Sequence, residues 1–190
     1  MPGRSPTSEP DGDLQKLLEA SEKEGPREHL MIVVSYGGAL RVSELIHLRV
    51  RDFDFESGEI KTIPLRKRSR NRASSTLDLE IIVKVKAYVE AGKLSKDSYL
   101  FPGRTKKSCH IVAFPDCSGG HISKREVQLL FDRVAEAAGI KKLGRGIQAL
   151  KHAKLLDVAR KTMDPKVIKE MGKYSTYSMS IKYISEAEGG

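Results

Sequence analysis

Arg41 and Glu44 stand three residues apart, directly after Gly37-Gly38-Ala39-Leu40. Residues at that spacing share one face of a helix. The pair is either a structural salt bridge or a guanidinium held over an anion site, its fork fixed by the carboxylate. Further along, Arg66-Lys67-Arg68-Ser69-Arg70-Asn71-Arg72 crowds cations into one short stretch. The plainer reading is a turn that touches phosphates, contacts that fix position and carry no chemistry of their own. Gln148, Lys151 and His152 fall where a helical pattern begins. Their plainer reading is a solvated helix start beside a capping or core histidine. Tyr174, Tyr177 and Tyr183 lie near the C-terminus. A phenol with a pKa of about 10 attacks nothing unless cations surround it; otherwise it packs its ring on the core. Cys109, His110, Cys117 and His121 are soft donors in one loop. Their spacing matches no standard zinc pair, and Pro115 and Gly119-Gly120 interrupt it, so a plain loop is expected and no metal.

The whole chain bounds what these groups can serve. Its 190 residues suit one domain or a little more, and 39% hydrophobic content allows a real core. The formal charge is +9, which favours a polyanionic partner, most simply nucleic acid. Aromatics make up only 6% and there is no Trp, which argues against a base-stacking platform for single strands. Mean hydropathy is -0.39, and no run approaches the ~20 apolar residues of a membrane span. No signal peptide pattern precedes the first helix. Two cysteines make no disulfide framework, so a reducing, cytoplasmic setting is the expectation.

The elements that must position the site follow from pattern and punctuation. Residues 1–12 are rich in Pro, Ser and Gly and read as disordered. Asp13 could cap a helix carrying Leu14, Leu17 and Leu18. Arg27 to Ser35 reads as a buried helix, and Arg41 to Leu48 as a shorter one after the glycine turn. Glu59 to Leu65 and Thr76 to Leu79 read as strands joined by the basic turn. Ile81 to Ala91 is helical and closed by Gly92. Tyr99 to Pro102 is a short extended piece, and Gly103 to Gly120 a loop. Ser123 is a plausible cap for a helix reaching Ala138, with Val127, Leu130, Phe131 and Val134 inward. Gln148 to Lys161 and Pro165 to Gly172 are two more helices, and Ser178 to Ile184 is helix or strand. The sum is an α+β domain, mainly helical, with one small antiparallel hairpin.

In that order, the segments resemble the catalytic domain of the tyrosine recombinases (phage integrases). The resemblance begins with the Gly-containing turn followed by Arg41 and Glu44, with Ala39 where the family usually has glycine. It continues through Leu48-Arg49-Val50-Arg51-Asp52-Phe53-Asp54, Leu100-Phe101-Pro102 and Ala138-Gly139-Ile140. It covers nearly the whole chain from residue 13 to 190. The family's separate N-terminal DNA-gripping domain has no counterpart in the dozen residues before that point. The resemblance implies duplex DNA as partner, tetramers on DNA with a monomer when alone, and no cofactor or metal. The implied chemistry is attack of a tyrosine on a phosphodiester, leaving a 3′-phosphotyrosine.

Role by role, Arg41 matches the first arginine, with Glu44 in support. Lys67 is the choice for the hairpin general acid, since it closes the first strand and is the only lysine of the turn. Arg66, Arg68, Arg70 and Arg72 are left to grip DNA. The family's His-x-x-Arg-His falls on Gln148-Ala149-Leu150-Lys151-His152. Gln148 then replaces a histidine, and Lys151 replaces the second arginine without its two-pronged geometry. The later histidine falls on Lys173 by motif or on Tyr174 by spacing, and both stand open. Tyr183 matches the nucleophile, with Tyr177 a weaker alternative. These substitutions also leave room for a DNA-binding protein of the same fold with weakened or lost catalysis.

Overall fold

The computed structural model describes residues 10–62, 73–103, 120–140 and 146–189. Helix α2 (Pro26–Gly37) is its centre: Met31, Ile32 and Val34 are wholly inaccessible and Leu30 nearly so. A helix apolar on this many sides must be surrounded. Helices α1 (Pro10–Glu24), α4 (Leu79–Ala91) and α6 (Gln148–Thr162) pack around it. Helix α5 (Lys124–Ala137) closes the far side against α1, burying Val127, Leu130, Phe131 and Val134 as its periodicity predicts. The Ser123 hydroxyl accepts the Glu126 backbone N–H, so the expected cap is present.

The chain leaves α2 through Gly37 and Gly38. A Cβ on Gly37 would meet the side-chain tips of Ile81 and Leu77 at 2.7 and 2.9 Å, so α2 packs closely against the start of α4 and a larger residue there would have to push those tips aside. Ala39 then takes φ 46, the left-handed region, at a general cost of about 1–2 kcal/mol for a residue with a Cβ. Helix α3 is only Val42–Leu45, shorter than the expected Arg41 to Leu48. Arg41 precedes it with extended backbone, and the chain tightens again at Val50–Asp52 into a 3₁₀ turn.

Strands β1 (Glu59–Thr62) and β2 (Ala73–Thr76) form an antiparallel pair with Glu59 opposite Thr76 and Thr62 opposite Ala73. The hairpin is therefore as expected, but its second strand lies earlier. Thr76 ends it rather than starting it, and Leu79 opens α4, because Asp78 already holds the extended backbone of a helix cap. Helix α1 begins at Pro10, so Pro10–Gly12 are helical and Asp13 lies inside the helix, not at its cap. Proline suits a first helical position, where its fixed φ and missing N–H do no harm. The Tyr99–Pro102 segment bridges on both sides, Tyr99 to Arg49 and Pro102 to His121, and buries Leu100 and Phe101 completely.

Helices α7 (Pro165–Gly172) and α8 (Ser178–Glu188) complete the C-terminal part, which settles the open tail as helix. They pack with α6 around a small second cluster of Leu155, Leu156, Val158, Ala159 and Ile168. The ring of Tyr183 joins it from α8, and the methyl of Ala39 from the turn after α2. Among the described residues no helix is long and apolar enough to cross a membrane.

Candidate active site

The site assembles where the α2–α3 turn meets the C-terminus of α7. Glu44, 2% exposed at its side chain, is the hub. One of its oxygens accepts the Arg41 guanidinium at 3.1 Å; the other accepts the Arg41 backbone N–H at 2.8 Å. The Lys173 ammonium lies 3.4 Å from that second oxygen. Burial alone would raise the Glu44 carboxyl, but Lys173, the Arg41 N–H, Lys151 and the Arg41 guanidinium outweigh it and hold it below its usual value. The short helix α3 explains the geometry. A glutamate three residues past the helix start reaches back to the preceding N–H, and the same carboxylate then fixes the arginine fork.

Arg41 remains 30% exposed at its side chain, and its second terminal nitrogen reaches only weakly to the Gly172 carbonyl, at 3.4 Å. It is a rigid cation facing outward. Lys151 is different. Its ammonium is buried and donates to the carbonyls of Ala39 at 2.8 Å and Gly172 at 3.1 Å. Burial first, and the Arg41 charge second, push Lys151 down from 10.5 to about 7, against the pull of Glu44. The residue standing for the second arginine thus staples the α2–α3 turn to the end of α7. Its loss of a forked head matters less to that task than its length.

Lys173 sits at φ 55 just after α7 and donates to Thr62 Oγ1 at 2.8 Å. Burial lowers its pKa, opposed by Glu44. Thr62 ends β1, so this bond ties the base of the hairpin to the Arg41 site. Lys67, Arg66, Arg68, Arg70 and Arg72 lie outside the described residues, as do Cys109, His110 and Cys117. His121 rests its ring against His47 and Tyr99. Among the described residues no group of three or more His, Cys, Asp and Glu side chains is placed to hold a metal.

One late tyrosine lies beside these cations and leads on to a second. Tyr174 sits under the Lys151 ammonium, 5.8 Å from its ring centre, and its hydroxyl donates to the Tyr183 hydroxyl at 3.5 Å. Tyr183 is 6% exposed. Its ring packs in the small cluster while its hydroxyl lies 3.1 Å from His152 Nδ1. The packing reading of this residue holds for its ring, while its hydroxyl is turned to His152 and Tyr174. Arg41, Lys151, Lys173, Tyr174 and Tyr183 form one contiguous set through the Gly172 carbonyl and Glu44. Lys173 and Tyr174 take different places: Lys173 at the carboxylate and hairpin, Tyr174 at the phenol. Gln148 is half-buried in the first turn of α6, and its side chain makes no hydrogen bond among the described residues. Tyr177 is exposed, its ring covered on one side by the Lys169 ammonium at 4.3 Å.

Two participants escape a reading of spacing alone. Thr62 carries no signal except its place at a strand end. Glu186, 3.3 Å from His152 Nε2, follows Tyr183 by three residues, and that interval on a helix is the clue.

The model of the phage integrase family matches residues 10–189. Tyrosine recombinase XerA of Pyrococcus furiosus is 24% identical over 183 residues, covering 96% of this chain and 58% of that protein. A tyrosine recombinase of Pseudothermotoga lettingae is 36% identical over 94 residues, covering 50% of this chain and 32% of that protein. Among solved structures, XerA recombinase superposes with a TM-score of 0.74 at 18% identity, covering 96% of this chain and 61% of that one. XerH recombinase, captured on a palindromic difH substrate after cleavage, gives a TM-score of 0.75 at 19% identity, covering 98% and 51%. The chain thus spans about three-fifths of the XerA it matches. With a family match over nearly its full length and a matching fold, this chain belongs to the phage integrase family.

Proposed function

We propose that this chain cuts and rejoins duplex DNA in site-specific recombination, using Tyr183 as nucleophile. The carrying observation is the convergence of Arg41 and Lys173 on the Glu44 carboxylate, with Lys151 beside them on the Gly172 carbonyl and Tyr174 leading on to a phenol from the last helix. Arg41 and Lys173 against one carboxylate, with the partly charged Lys151 ammonium close by, leave an excess of positive charge, which a phosphodiester would neutralise. In this reading the Tyr183 oxygen bonds to phosphorus and the bond from phosphorus to the 5′-oxygen breaks. Arg41 faces the non-bridging oxygens as their charge builds. The freed 5′-oxygen takes a proton from Lys67, which lies five residues beyond Thr62 in the sequence. Attack by a 5′-hydroxyl on the phosphotyrosine reverses the steps and rejoins the strand. Arg66, Arg68, Arg70 and Arg72 hold the DNA backbone. The chain works with the cell's DNA in the cytoplasm, and copies assemble as tetramers on that DNA.

The DNA-bound XerH relative supports the reading. A test is a pool of nicked duplexes with a randomised core, run on a denaturing gel. A covalent protein–DNA adduct lost in Tyr183→Phe is the expected result. An adduct that survives this change refutes the assignment. A second reading rests on Lys151, whose ammonium is already spent on two carbonyls. It is a DNA-binding protein of the same fold without cleavage, and it predicts salt-sensitive retention of duplex with no adduct.

A further inference from the structure

The helix pair α6–α8 holds an arrangement that the steps above do not use. His152 lies between two residues of α8, Tyr183 and Glu186. Its Nδ1 is 3.1 Å from the Tyr183 hydroxyl, and its Nε2 is 3.3 Å from Glu186 Oε1. Tyr183 and Glu186 stand three apart, so both reach the same side of α8, and α6 packs along that side. An ionised carboxylate only accepts, so the ring proton belongs on Nε2. Nδ1 is then left with a lone pair directed at the phenol. Tyr174 completes the set by donating its own hydroxyl to the Tyr183 oxygen at 3.5 Å. Among the described residues, Lys151 on α6 brings a cation to the Tyr174 ring, 5.8 Å from its centre.

We infer that His152 is the base that takes the proton from Tyr183, and that Glu186 is a positioning residue that fixes the tautomer of His152. The inference rests on Tyr183 being the nucleophile. The proton passes from the Tyr183 oxygen to Nδ1 as that oxygen bonds to phosphorus, and the resulting imidazolium pairs with Glu186. Tyr174 steadies the phenolate with its O–H. In rejoining, Nδ1 returns the proton to the departing Tyr183 oxygen. Of the three places where the resemblance puts histidines, two hold Gln148, which does not titrate, and Lys173, which is engaged with Glu44 and Thr62; the third holds His152. Among the described residues, His152 is the imidazole within hydrogen-bond reach of a late tyrosine.

Two measurements test this. The first is adduct formation against pH on the nicked-duplex pool, for the wild type, His152→Gln, Glu186→Gln and Tyr183→Phe. His152→Gln should slow the reaction at pH 7 by about 10²-fold, within the usual range for a lost general base. Its rate should then climb with pH toward the ionisation of the phenol itself, where the wild type has levelled off. Glu186→Gln changes a half-exposed side chain and so preserves the fold; it should slow the reaction by about 10-fold and displace the same pH midpoint. The second is ¹⁵N magnetic resonance of labelled histidine at pH 8, which should show His152 protonated on Nε2 and bare on Nδ1.

A proton on Nδ1 at pH 8 overturns the relay. So do His152→Gln and Glu186→Gln profiles that keep the wild-type shape while the adduct still requires Tyr183; that result leaves the nucleophile in place. An adduct that persists in Tyr183→Phe, or no adduct from the wild type, removes the functional reading and the relay together.

Discussion

Lys151→Met separates the charge of this lysine from its length. Folding takes Lys151 from the ordinary 10.5 to about 7, with burial the first cause. Between those values the unfolded chain holds a proton that the folded chain lacks. Stability rises with pH wherever the unfolded state binds more protons. The cost of carrying this charge is therefore full below about 7 and fades as pH rises toward 10.5. The slope is at most about 1.4 kcal/mol per pH unit. From pH 7 to pH 9, with half the folded molecules already neutral at the start, it integrates to about 2 kcal/mol. Methionine has the stem and no proton. The variant loses this rise, and it also leaves the Ala39 and Gly172 carbonyls without their donor, a general cost of about 1–3 kcal/mol.

The wild-type margin over Lys151→Met should thus widen by about 2 kcal/mol between pH 7 and pH 9. Urea unfolding followed by circular dichroism at pH 7, 8 and 9 measures it, provided the two proteins share one m-value. Lys173 is lowered too, with burial the first cause, and its charge is one of those that lower Lys151. A margin that changes by no more than the ~0.5 kcal/mol of an ordinary surface substitution would refute the reasoning. Lys151 would then be hydrated and charged throughout, free to bind a phosphate rather than to staple two turns.

Three further outcomes follow from the same geometry. Glu44→Gln should cost about 3–5 kcal/mol at neutral pH, because it strips the buried partner from Arg41 and Lys173. The Glu44 pKa is lowered on folding, so its contribution is present above 4.5 and lost as pH falls through the folded value; wild type and variant should converge in acid, and melts that stay parallel down to pH 3 would contradict this. Arg41→Lys should cut the adduct rate by about 10²–10³-fold, as for one lost oxyanion donor, while filter binding of duplex changes far less; equal losses in both would make Arg41 an ordinary DNA contact. Gly172→Ala should destabilise by about 1–3 kcal/mol, since the new Cβ would stand 2.3 Å from the Tyr174 ring; an unchanged melting temperature would show that the ring is not held there.

Much of this protein was legible in the order of its residues, for local reasons. Helical periodicity and a serine cap placed α5, and Pro165 and Gly172 marked both ends of α7. The i, i+3 spacing of Arg41 and Glu44 joined them because neighbours on one turn must meet. The family, too, was readable, because its signature residues come in fixed order. Boundaries were less legible: Thr76 to Leu79 carries apolar residues that suit either a strand or the start of α4, and the cap at Asp78 decided between them.

What the tertiary structure alone decided concerns contacts between distant segments. Lys151 and Ala39 are 112 residues apart, and only the packing of α6 on α2 turns a lysine head onto that carbonyl. Where Lys173 and Tyr174 each end was likewise not legible, because adjacent residues at a helix end point in different directions. The left-handed φ of Lys173 sends it to Thr62 and Glu44, and leaves Tyr174 to the phenol. Residue type and spacing state which groups exist and which near neighbours share a face. Burial, the direction of each side chain and the charge it ends beside are properties of the packed whole.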